Sequence, residues 1–300
     1  MLNISNIYYT IIDLFRNTYT GRIIQNFFEL TLLIGPYFLI SLLLNVLLRR
    51  YLQSRKLFRI SKNEIISIIV ASLIGLISPL PTYIAVPMGL SLISTGIPFS
   101  AITAFMVSSP LMNPGIFYLT LSQLGPEIAF ARVISAFFLA ILAGFLTKLI
   151  WKNFAAKIQK IAVQHSDLKK PLWREFINSF LFLGRYFGIA LFLGAIIKAL
   201  VPPEMVTRIL GSNTNMSMMI AIALGVPFYS CGGAAIPLIQ VLSQMGMNKG
   251  AVLAFFIAGP STKLETIYVY KSLLGIHFLI FYLTFIFAGA FLCGLLILGI

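Results

Sequence analysis

Long, unbroken runs of apolar residues dominate the chain. Each run is rich in Leu, Ile, Phe, Ala and Val, and the runs cover residues 23–48, 64–80, 98–124, 127–147, 174–200, 214–228 and 275–300. A helix needs roughly 20 such residues to cross the hydrocarbon core of a membrane, where charged residues are costly. A soluble protein could bury one such segment but not seven. Because the period-2 alternation typical of an outer-membrane β-barrel is missing, the pattern predicts an all-α polytopic membrane protein.

Composition and the placement of charge support this interpretation. Hydrophobic residues make up 59% of the chain and charged residues 10%, whereas about 25% of the residues in a soluble domain are charged. The net charge of +14 comes largely from two basic loops, at 49–62 and 148–174. Cytoplasmic loops of membrane proteins collect Lys and Arg, so both loops are predicted to be cytoplasmic. Without a soluble domain to present these side chains, we do not expect the chain to bind nucleic acid.

The regions outside the apolar runs complete the domain organisation. Residues 1–22 place apolar side chains at helical spacing, which is typical of an interfacial amphipathic helix, and they lack the features of a cleavable signal peptide. We therefore predict an interfacial helix at 1–22, a first membrane repeat at 23–150, a cytoplasmic linker at 151–173 and a second membrane repeat at 174–300. The Ile-, Lys- and Asn-rich composition is typical of a microbial protein, which predicts the cytoplasmic membrane as its location.

The second half of the chain resembles the first at a constant offset of 150 residues. Identical pairs include Gly75 with Gly225, Pro87 with Pro237, Gly96 with Gly246, Pro110 with Pro260 and Gly144 with Gly294. Such matches exceed what this biased composition gives by chance, which indicates an internal duplication.

Charge predicts that the two repeats lie in the membrane in opposite directions. The first span, 23–48, ends at a basic loop, whereas its counterpart, 174–200, begins at one. Equivalent spans with opposite directions make an inverted repeat, which needs an odd number of crossings in each half. We predict about five membrane segments per half, at 23–48, 63–79, 82–96, 98–124 and 127–147, and at 173–200, 213–229, 232–245, 248–273 and 276–298. Segments 82–96 and 232–245 are short for a crossing, so a re-entrant course there is the alternative.

Proline and glycine interrupt the spans at matching places in both halves. One interruption is ISPLPTYIAVP (77–87), matched by VPFYSCGGAAIP (226–237), and the other is SSPLMNP (108–114), matched by GPSTKLE (259–265). The predicted helix-breaking prolines are Pro79, Pro87, Pro110, Pro227, Pro237 and Pro260. A broken helix frees backbone N–H and C=O groups, which are tolerated in a membrane only inside protein or beside a polar cavity. Inverted-repeat transporters bind substrate at such breaks, so we predict the binding site there, near the midplane.

Polar side chains at these breaks are the candidate site residues. The predicted substrate-binding set is Ser230, Cys231, Gly232, Gly233, Ser108, Ser109, Asn113, Ser261, Thr262 and Lys263. Cys231 is either a small buried hydrophobe or, beside a polar cavity, a contact for a soft metalloid or thiophile. Lys263 and Glu265 lie in an apolar segment, where ionisable groups are functional by default, and are candidates for coupling to a proton or ion. The alternative is that they snorkel towards the membrane surface.

The breaks also carry a family resemblance. The second half reads Pro-x-x-x-Cys-Gly-Gly-x-x-x-Pro at 227–237, then Gly-x-x-x-Gly-Ala-x-x-Ala-Phe at 246–255 and Gly-Pro-Ser-Thr at 259–262. Over residues 25–298 the chain resembles the predicted-permease family that includes the ArsP organoarsenical exporters. In that family the break typically reads Cys-Ser-Cys-Gly, whereas here it reads Tyr-Ser-Cys-Gly at 229–232. The resemblance implies a permease, but ligation of a trivalent arsenical by two or three thiols is not open to this chain.

These observations predict a secondary transporter of the efflux type that moves a small thiophilic or anionic solute by alternating access at the paired broken helices. A passive channel would share the broken helices and is the first alternative. An intramembrane enzyme is the second, although the scattered acids and the isolated His277 offer no catalytic arrangement. No Walker motif is present, so we expect no ATPase within the chain, and we expect no cofactor and no bound metal. The expected partners are the small-molecule or ion substrate and membrane lipid; a homo-oligomer stays open.

Overall fold

The computed structural model of the protein describes residues 18–52, 63–78, 80, 82–93, 96–151, 172–212, 215–228 and 235–299. Within these ranges every regular element is a helix. The predicted interfacial helix at 1–22 and the predicted linker at 151–173 lie almost wholly outside the described residues. So do five of the predicted site residues: Pro79, Ser230, Cys231, Gly232 and Gly233.

Five described helices come from the first half of the chain and seven from the second. The first five are α1 (Tyr19–Leu52), α2 (Glu64–Ile77), α3 (Thr82–Ile93), α4 (Phe99–Leu111) and α5 (Pro114–Ile150). The next seven are α6 (Leu172–Leu200), α7 (Pro203–Val206), α8 (Asn215–Phe228), α9 (Ile236–Gln244), α10 (Lys249–Ser261), α11 (Leu264–Leu274) and α12 (Ile276–Leu298), with a π-helical turn at Thr207–Gly211 after α7. From α2 and α8 onward, most helix ends in the two halves fall within two residues of the sequence offset of 150.

The helices divide by length into those that can cross a membrane and those that cannot. Among the described residues, the stretches Tyr19–Ile40, Phe99–Ile150 and Ile276–Leu298 are long and apolar enough to cross, and the bent pair Phe187–Leu200 with Pro203–Gly211 makes a fourth if it counts as one span. The described part of the chain is therefore all-α, and its apolar helices are those expected of a multi-pass membrane protein. By contrast α2, with 14 residues, is about 21 Å long, shorter than the roughly 30 Å hydrocarbon core.

In the first half, α2 and α4 lie side by side and run in the same direction. At their starts the Ser100 hydroxyl donates a hydrogen bond to Glu64 (Oγ–Oε1 2.7 Å), and near their ends Gly75 lies against Ser108. Five residues separate the end of α3 from the start of α4, and the two helices pack against each other, so α3 runs in the opposite direction. The end of α5 returns to the starts of α2 and α4, where Lys148 pairs with Glu64 (Nζ–Oε2 3.0 Å). Both α2 and α4 therefore begin at one edge of the bundle and end inside it.

The second half has the same arrangement. Gly225 of α8 lies against Gly259 of α10, and these positions are 150 residues beyond Gly75 and Ser109. The start of α10 packs against the end of α12, where Gly250 contacts Gly294. α8 and α10 therefore also run side by side and end inside the bundle.

Helices α1 and α6 form an antiparallel pair beside these two groups. The rings of Phe38 and Phe187 stack with their centroids 4.0 Å apart, and Lys198 near the end of α6 pairs with Glu29 near the start of α1 (Nζ–Oε2 3.1 Å). Large apolar side chains such as Leu32 and Leu181 stay exposed on this pair. Such exposure is expected of a surface that contacts lipid, because lipid tails are as apolar as leucine.

Equivalent glycines reverse the chain in both halves. Gly125, within α5, has φ 86° and ψ 172°, and Gly275, between α11 and α12, has φ 86° and ψ 168°. Glycine adopts this backbone conformation readily, whereas a residue with a Cβ atom does so only under strain. The chain after each glycine folds back against the helical segment before it.

Gly125→Ala is expected to lower the free energy of unfolding by about 1–2 kcal/mol, because alanine must adopt a backbone conformation that costs it strain energy. The added Cβ has room, since no heavy atom of the described residues lies within 4 Å of it, so the effect reports the backbone alone. Thermal unfolding of the detergent-purified protein measures the change. The matched control is Gly188→Ala in α6, which also has open space and should be neutral or slightly stabilising. An unchanged melting temperature for Gly125→Ala would contradict the expectation.

Candidate transport site

Buried polar side chains gather where the short helices end inside the bundle. Ser108 and Ser109 occupy the last turn of α4, and Asn113 follows it. In the second half Ser261 ends α10 and Thr262 follows it. All five residues are at most 9% exposed. Two residues separate α4 from α5, and two separate α10 from α11, so in each half these polar groups surround a broken helix.

The end of α4 is tied to the connection between α2 and α3. The Ser109 hydroxyl donates to the carbonyl of Leu80 (Oγ–O 3.0 Å), whereas the Ser108 hydroxyl bonds back to carbonyls of its own helix. Asn113 caps α5, because its Oδ1 accepts a hydrogen bond from the N–H of Ile116 at 2.9 Å. The cap satisfies one of the four N–H groups that a helix start leaves without a partner. These contacts make the end of α4 and the α2–α3 connection one polar unit.

The end of α10 meets the start of α3, which belongs to the other half. The Thr266 hydroxyl lies 3.3 Å from Thr82 Oγ1 and 3.2 Å from the carbonyl oxygen of Pro260. Thr82 begins α3, and both threonines are buried. The contact therefore joins the first predicted interruption of one half, 77–87, to the residue directly after the second predicted interruption of the other, 259–265.

Two buried polar atoms in or next to the short helices α2 and α9 have no protein partner among the described residues. They are Ser78 Oγ, at the C-cap of α2, and Gln240 Oε1, in α9. Buried polar atoms in proteins are nearly always hydrogen-bonded, so each of these atoms is expected to have a partner outside the described residues, which is water, a ligand or another part of the chain. Ser78 lies two residues before Leu80, beside the polar unit at the end of α4.

The remaining predicted site residues lie at the start of α11 and at helix ends. Lys263 is partly buried at the N-cap position of α11, and Glu265 follows in the first turn. Four described prolines lie one residue from a helix end, namely Pro110, Pro227, Pro237 and Pro260. α3 runs through Pro87, which corrects the break predicted at that residue: the interruption lies before Thr82. A membrane helix tolerates an internal proline where neighbouring groups satisfy the carbonyl that it frees.

Arg132 is a buried cation that the sequence analysis missed. It is 2% exposed and lies just after the bend of α5. Its guanidinium donates to Thr120 (Nη1–Oγ1 2.6 Å) and to the carbonyl of Leu111 at the end of α4 (Nη2–O 3.5 Å). It also lies over the ring of Phe256 from the second half, 4.0 Å from the centroid. A charge at the centre of a membrane helix costs about 2.5–3.5 kcal/mol on insertion scales. The position of Arg132 inside the apolar run 127–147 could therefore have identified it as a candidate functional residue.

Tyr282 occupies the position equivalent to Arg132, 150 residues further along the chain. Its hydroxyl donates to Ser261 Oγ at 3.1 Å, and its ring stacks on Tyr270 with the centroids 4.3 Å apart. Tyr270 in turn donates to the carbonyl of Met106 in the first half (3.3 Å). The offset of 150 residues pairs Ser261 with Leu111, Tyr270 with Thr120, and Phe256 with Met106. Arg132 and Tyr282 therefore both contact the end of the preceding short helix and the residue twelve positions earlier in the chain, whereas contact with the other half is made by Arg132 itself in one half and by Tyr270 in the other.

Comparison with known proteins identifies the family. A sequence profile of the ArsP_1 family, described as predicted permeases, matches residues 21–299. The chain belongs to this permease family. Its buried helix ends are therefore interior positions of a membrane permease, which agrees with the resemblance carried by the sequence of the breaks.

Several relatives of this permease are distant in sequence but match along most of their length. UPF0718 protein MJ0584 of Methanocaldococcus jannaschii is 22% identical over 306 residues, covering 80% of this chain and 84% of the relative. UPF0718 protein YcgR of Bacillus subtilis is 22% identical over 274 residues, covering 88% and 92%. A protein of Streptococcus mutans named "Putative two-component membrane permease complex subunit" is 23% identical over 257 residues, covering 82% and 84%. No solved structure matches the chain.

Proposed function

We propose that this permease is a secondary transporter of the cytoplasmic membrane that exports a small solute by alternating access. The observation that carries the proposal is the meeting of broken helices from both halves at buried polar residues, as in the contact between Thr82 and Thr266. Such a meeting point supplies polar groups and exposed helix ends in the membrane interior, where a solute needs both. Movement of one half against the other would then open it to each side in turn.

Equivalent features of the two halves support the proposal that they form an inverted repeat. The matching backbone conformations of Gly125 and Gly275 and the matching contacts of Arg132 and Tyr282 favour a two-fold relation between them. Leu139 and Gly289 are equivalent positions, and they touch: a Cβ atom on Gly289 would lie 2.5 Å from Leu139 Cδ2. Equivalent residues of two repeats meet where a two-fold axis passes between them.

The proposed topology has three crossings and one re-entrant helix pair in each half, in place of five crossings. With the basic loops 49–62 and 148–174 in the cytoplasm, α2 and α3 enter from that side and return to it. α4 and the first part of α5 form one broken crossing, and the chain after Gly125 crosses back. The second half follows the same course from the outside, with α8 and α9 as its re-entrant pair. The re-entrant alternative for 82–96 and 232–245 is therefore preferred.

Contacts between the halves at the two membrane faces are candidates for gates. Lys249, at the start of α10, forms an ion pair with Glu127, just after the bend of α5, and both side chains are more than half exposed. In the proposed topology this pair lies on the outer side. On the cytoplasmic side, Phe278 of the second half contacts Trp151 and Phe99 of the first.

The remaining predicted residues receive roles on this basis. We assign Lys263 and Glu265 to coupling with a proton or ion, and Ser230, Cys231, Gly232 and Gly233 to contact with a thiophilic or anionic solute. The name of the Streptococcus mutans relative adds a second membrane component as a partner to test, beside a homo-oligomer.

Substitutions at the meeting point test the proposed function. Thr266→Val and Ser109→Ala in protein reconstituted into liposomes should lower transport at least about tenfold, because each leaves a buried polar group without its hydrogen bond, a loss of about 1–3 kcal/mol. The transported probe is selected by a thermal-shift screen of wild type against sulfate, phosphate, small thiols and methylarsenite. The control is Ser272→Ala, since Ser272 is exposed on α11.

Three results would speak against this function. If both variants transport the probe at the wild-type rate, the proposed site does not lie on the transport pathway. Flux that never concentrates the probe under any ion gradient would favour the passive channel. Failure of wild type to bind or move any of the probes would leave the permease without a solute of the proposed classes.

A further inference from the structure

We propose that Arg132 supplies the positive charge that binds an anionic substrate within this permease. The inference rests on the proposed function and narrows its substrate to an anion. It rests on the surroundings of Arg132, on its neutral counterpart in the other half, and on the side chain that covers it.

The guanidinium lies beside the broken helix of the first half. Its contact with the carbonyl of Leu111 places it at the end of α4, the helix end that also carries Ser109 and precedes Asn113. The start of α5, capped by Asn113, lies in the same region and adds the partial positive charge of a helix N-terminus. An anion at this point would meet a planar donor that binds carboxylates, phosphates and similar oxyanions through two parallel hydrogen bonds.

The second half indicates that the fold does not need a charge at this position. Tyr282 makes the equivalent contacts with Ser261 and Tyr270 through a neutral side chain. A charged group inside a membrane protein is costly, and its retention is usually functional. Because a tyrosine performs the same packing role in the repeat, the charge of Arg132 serves something other than holding α4 and α5 together.

Phe256 explains how the site would be closed and opened. Its ring covers one face of the guanidinium, and it belongs to α10 of the opposite half, whereas Thr120 and Leu111 belong to the same half as Arg132. Movement of one half against the other would therefore withdraw Phe256 while the hydrogen bonds of Arg132 within its own half stay intact. Space would then open beside the guanidinium, so that an anion could reach N–H groups at its edge while the orientation of the side chain is already fixed.

The test measures anion binding to the detergent-purified, full-length protein. Thermal shifts are recorded against sodium sulfate, phosphate and acetate at constant ionic strength, with chloride as the reference, and repeated with methylarsenite as a thiophilic probe. The variants are Arg132→Tyr, which copies the residue of the other half, Arg132→Gln and Arg132→Lys. Lys271→Gln, which removes a positive charge from an exposed position, is the control.

We expect at least one oxyanion to stabilise wild type in a saturable manner. Arg132→Tyr and Arg132→Gln should raise its Kd at least about 30-fold, Arg132→Lys about tenfold, and Lys271→Gln less than about twofold. The same order should appear in the rate of anion uptake into liposomes.

Several outcomes would overturn the inference. Unchanged anion affinity in a folded Arg132→Tyr or Arg132→Gln protein would do so while leaving the permease proposal intact, as would stabilisation and transport of methylarsenite alone. If neither neutral variant folds while Arg132→Lys does, the charge is structural. Stabilisation by phosphatidylglycerol in mixed micelles, but by no soluble anion, would assign Arg132 to lipid. If wild type neither binds nor transports any probe, the proposed function fails together with the inference.

Discussion

Phe278→Ala is expected to lower the free energy of unfolding by about 3–5 kcal/mol, the usual cost of removing a fully buried aromatic side chain. The Phe278 side chain is completely buried. It stacks with Tyr270 of its own half (centroids 6.0 Å apart) and packs against Phe99 (5.5 Å) and Trp151 (5.8 Å) of the other half. The truncation would leave a cavity among rigid rings that cannot collapse into it. Thermal and denaturant unfolding in detergent measure the loss.

The matched control for Phe278 is Phe138→Ala. Phe138 is 64% exposed on α5, where a lost ring is replaced by detergent or lipid, so a change below about 1 kcal/mol is expected. Equal losses for the two variants would contradict the packing described around Phe278. In the proposed topology this cluster joins the two halves on the cytoplasmic side, so Phe278→Ala should also shift a transport-competent protein towards the state that is open to the cytoplasm.

Gly294→Val is expected to destabilise the protein by about 2–3 kcal/mol through overpacking. A Cβ atom on Gly294 would lie 2.8 Å from the carbonyl oxygen of Gly250, 3.0 Å from Met218 Sδ and 3.3 Å from Ala254 Cβ. The Gly250 oxygen belongs to the backbone and cannot rotate away, so α10 and α12 must separate. The lower melting temperature of the purified variant measures the effect.

The equivalent position in the first half provides an independent check. A Cβ atom on Gly144 would lie 2.9 Å from the carbonyl oxygen of Ser100 and 2.8 Å from Ile68 Cγ2, so Gly144→Val should cost a similar amount. Gly188→Val, with open space around it, is the control and should change stability by less than about 1 kcal/mol. Destabilisation by Gly188→Val equal to that by Gly294→Val would contradict the attribution to close helix packing, because valine has a higher helix propensity than glycine and Gly188 has open space around it.

The amino-acid sequence by itself predicted the class of the protein and the breaks near Pro110 and Pro260. Uninterrupted apolar runs identify membrane helices because charge is excluded from lipid, and this signal needs no knowledge of contacts. The helix ends near Pro110 and Pro260 were predictable because a proline removes a local hydrogen bond and strains the turn before it. The motif around 227–262 was sufficient to identify the permease family.

Which helices meet, and which buried groups face one another, was decided only by the tertiary structure. Periodicity and apolar length could not distinguish a short crossing from a helix such as α3 that packs back against its neighbour, because both are equally apolar. The contact between Thr82 and Thr266 joins residues 184 positions apart, and no local preference encodes such a contact. In the sequence, Arg132 is one basic residue in an apolar run. In the structure, the bend at Gly125 places it against Thr120 and the end of α4. Its position in the site depends on contacts between residues that are far apart in the sequence. Local sequence patterns do not predict such contacts.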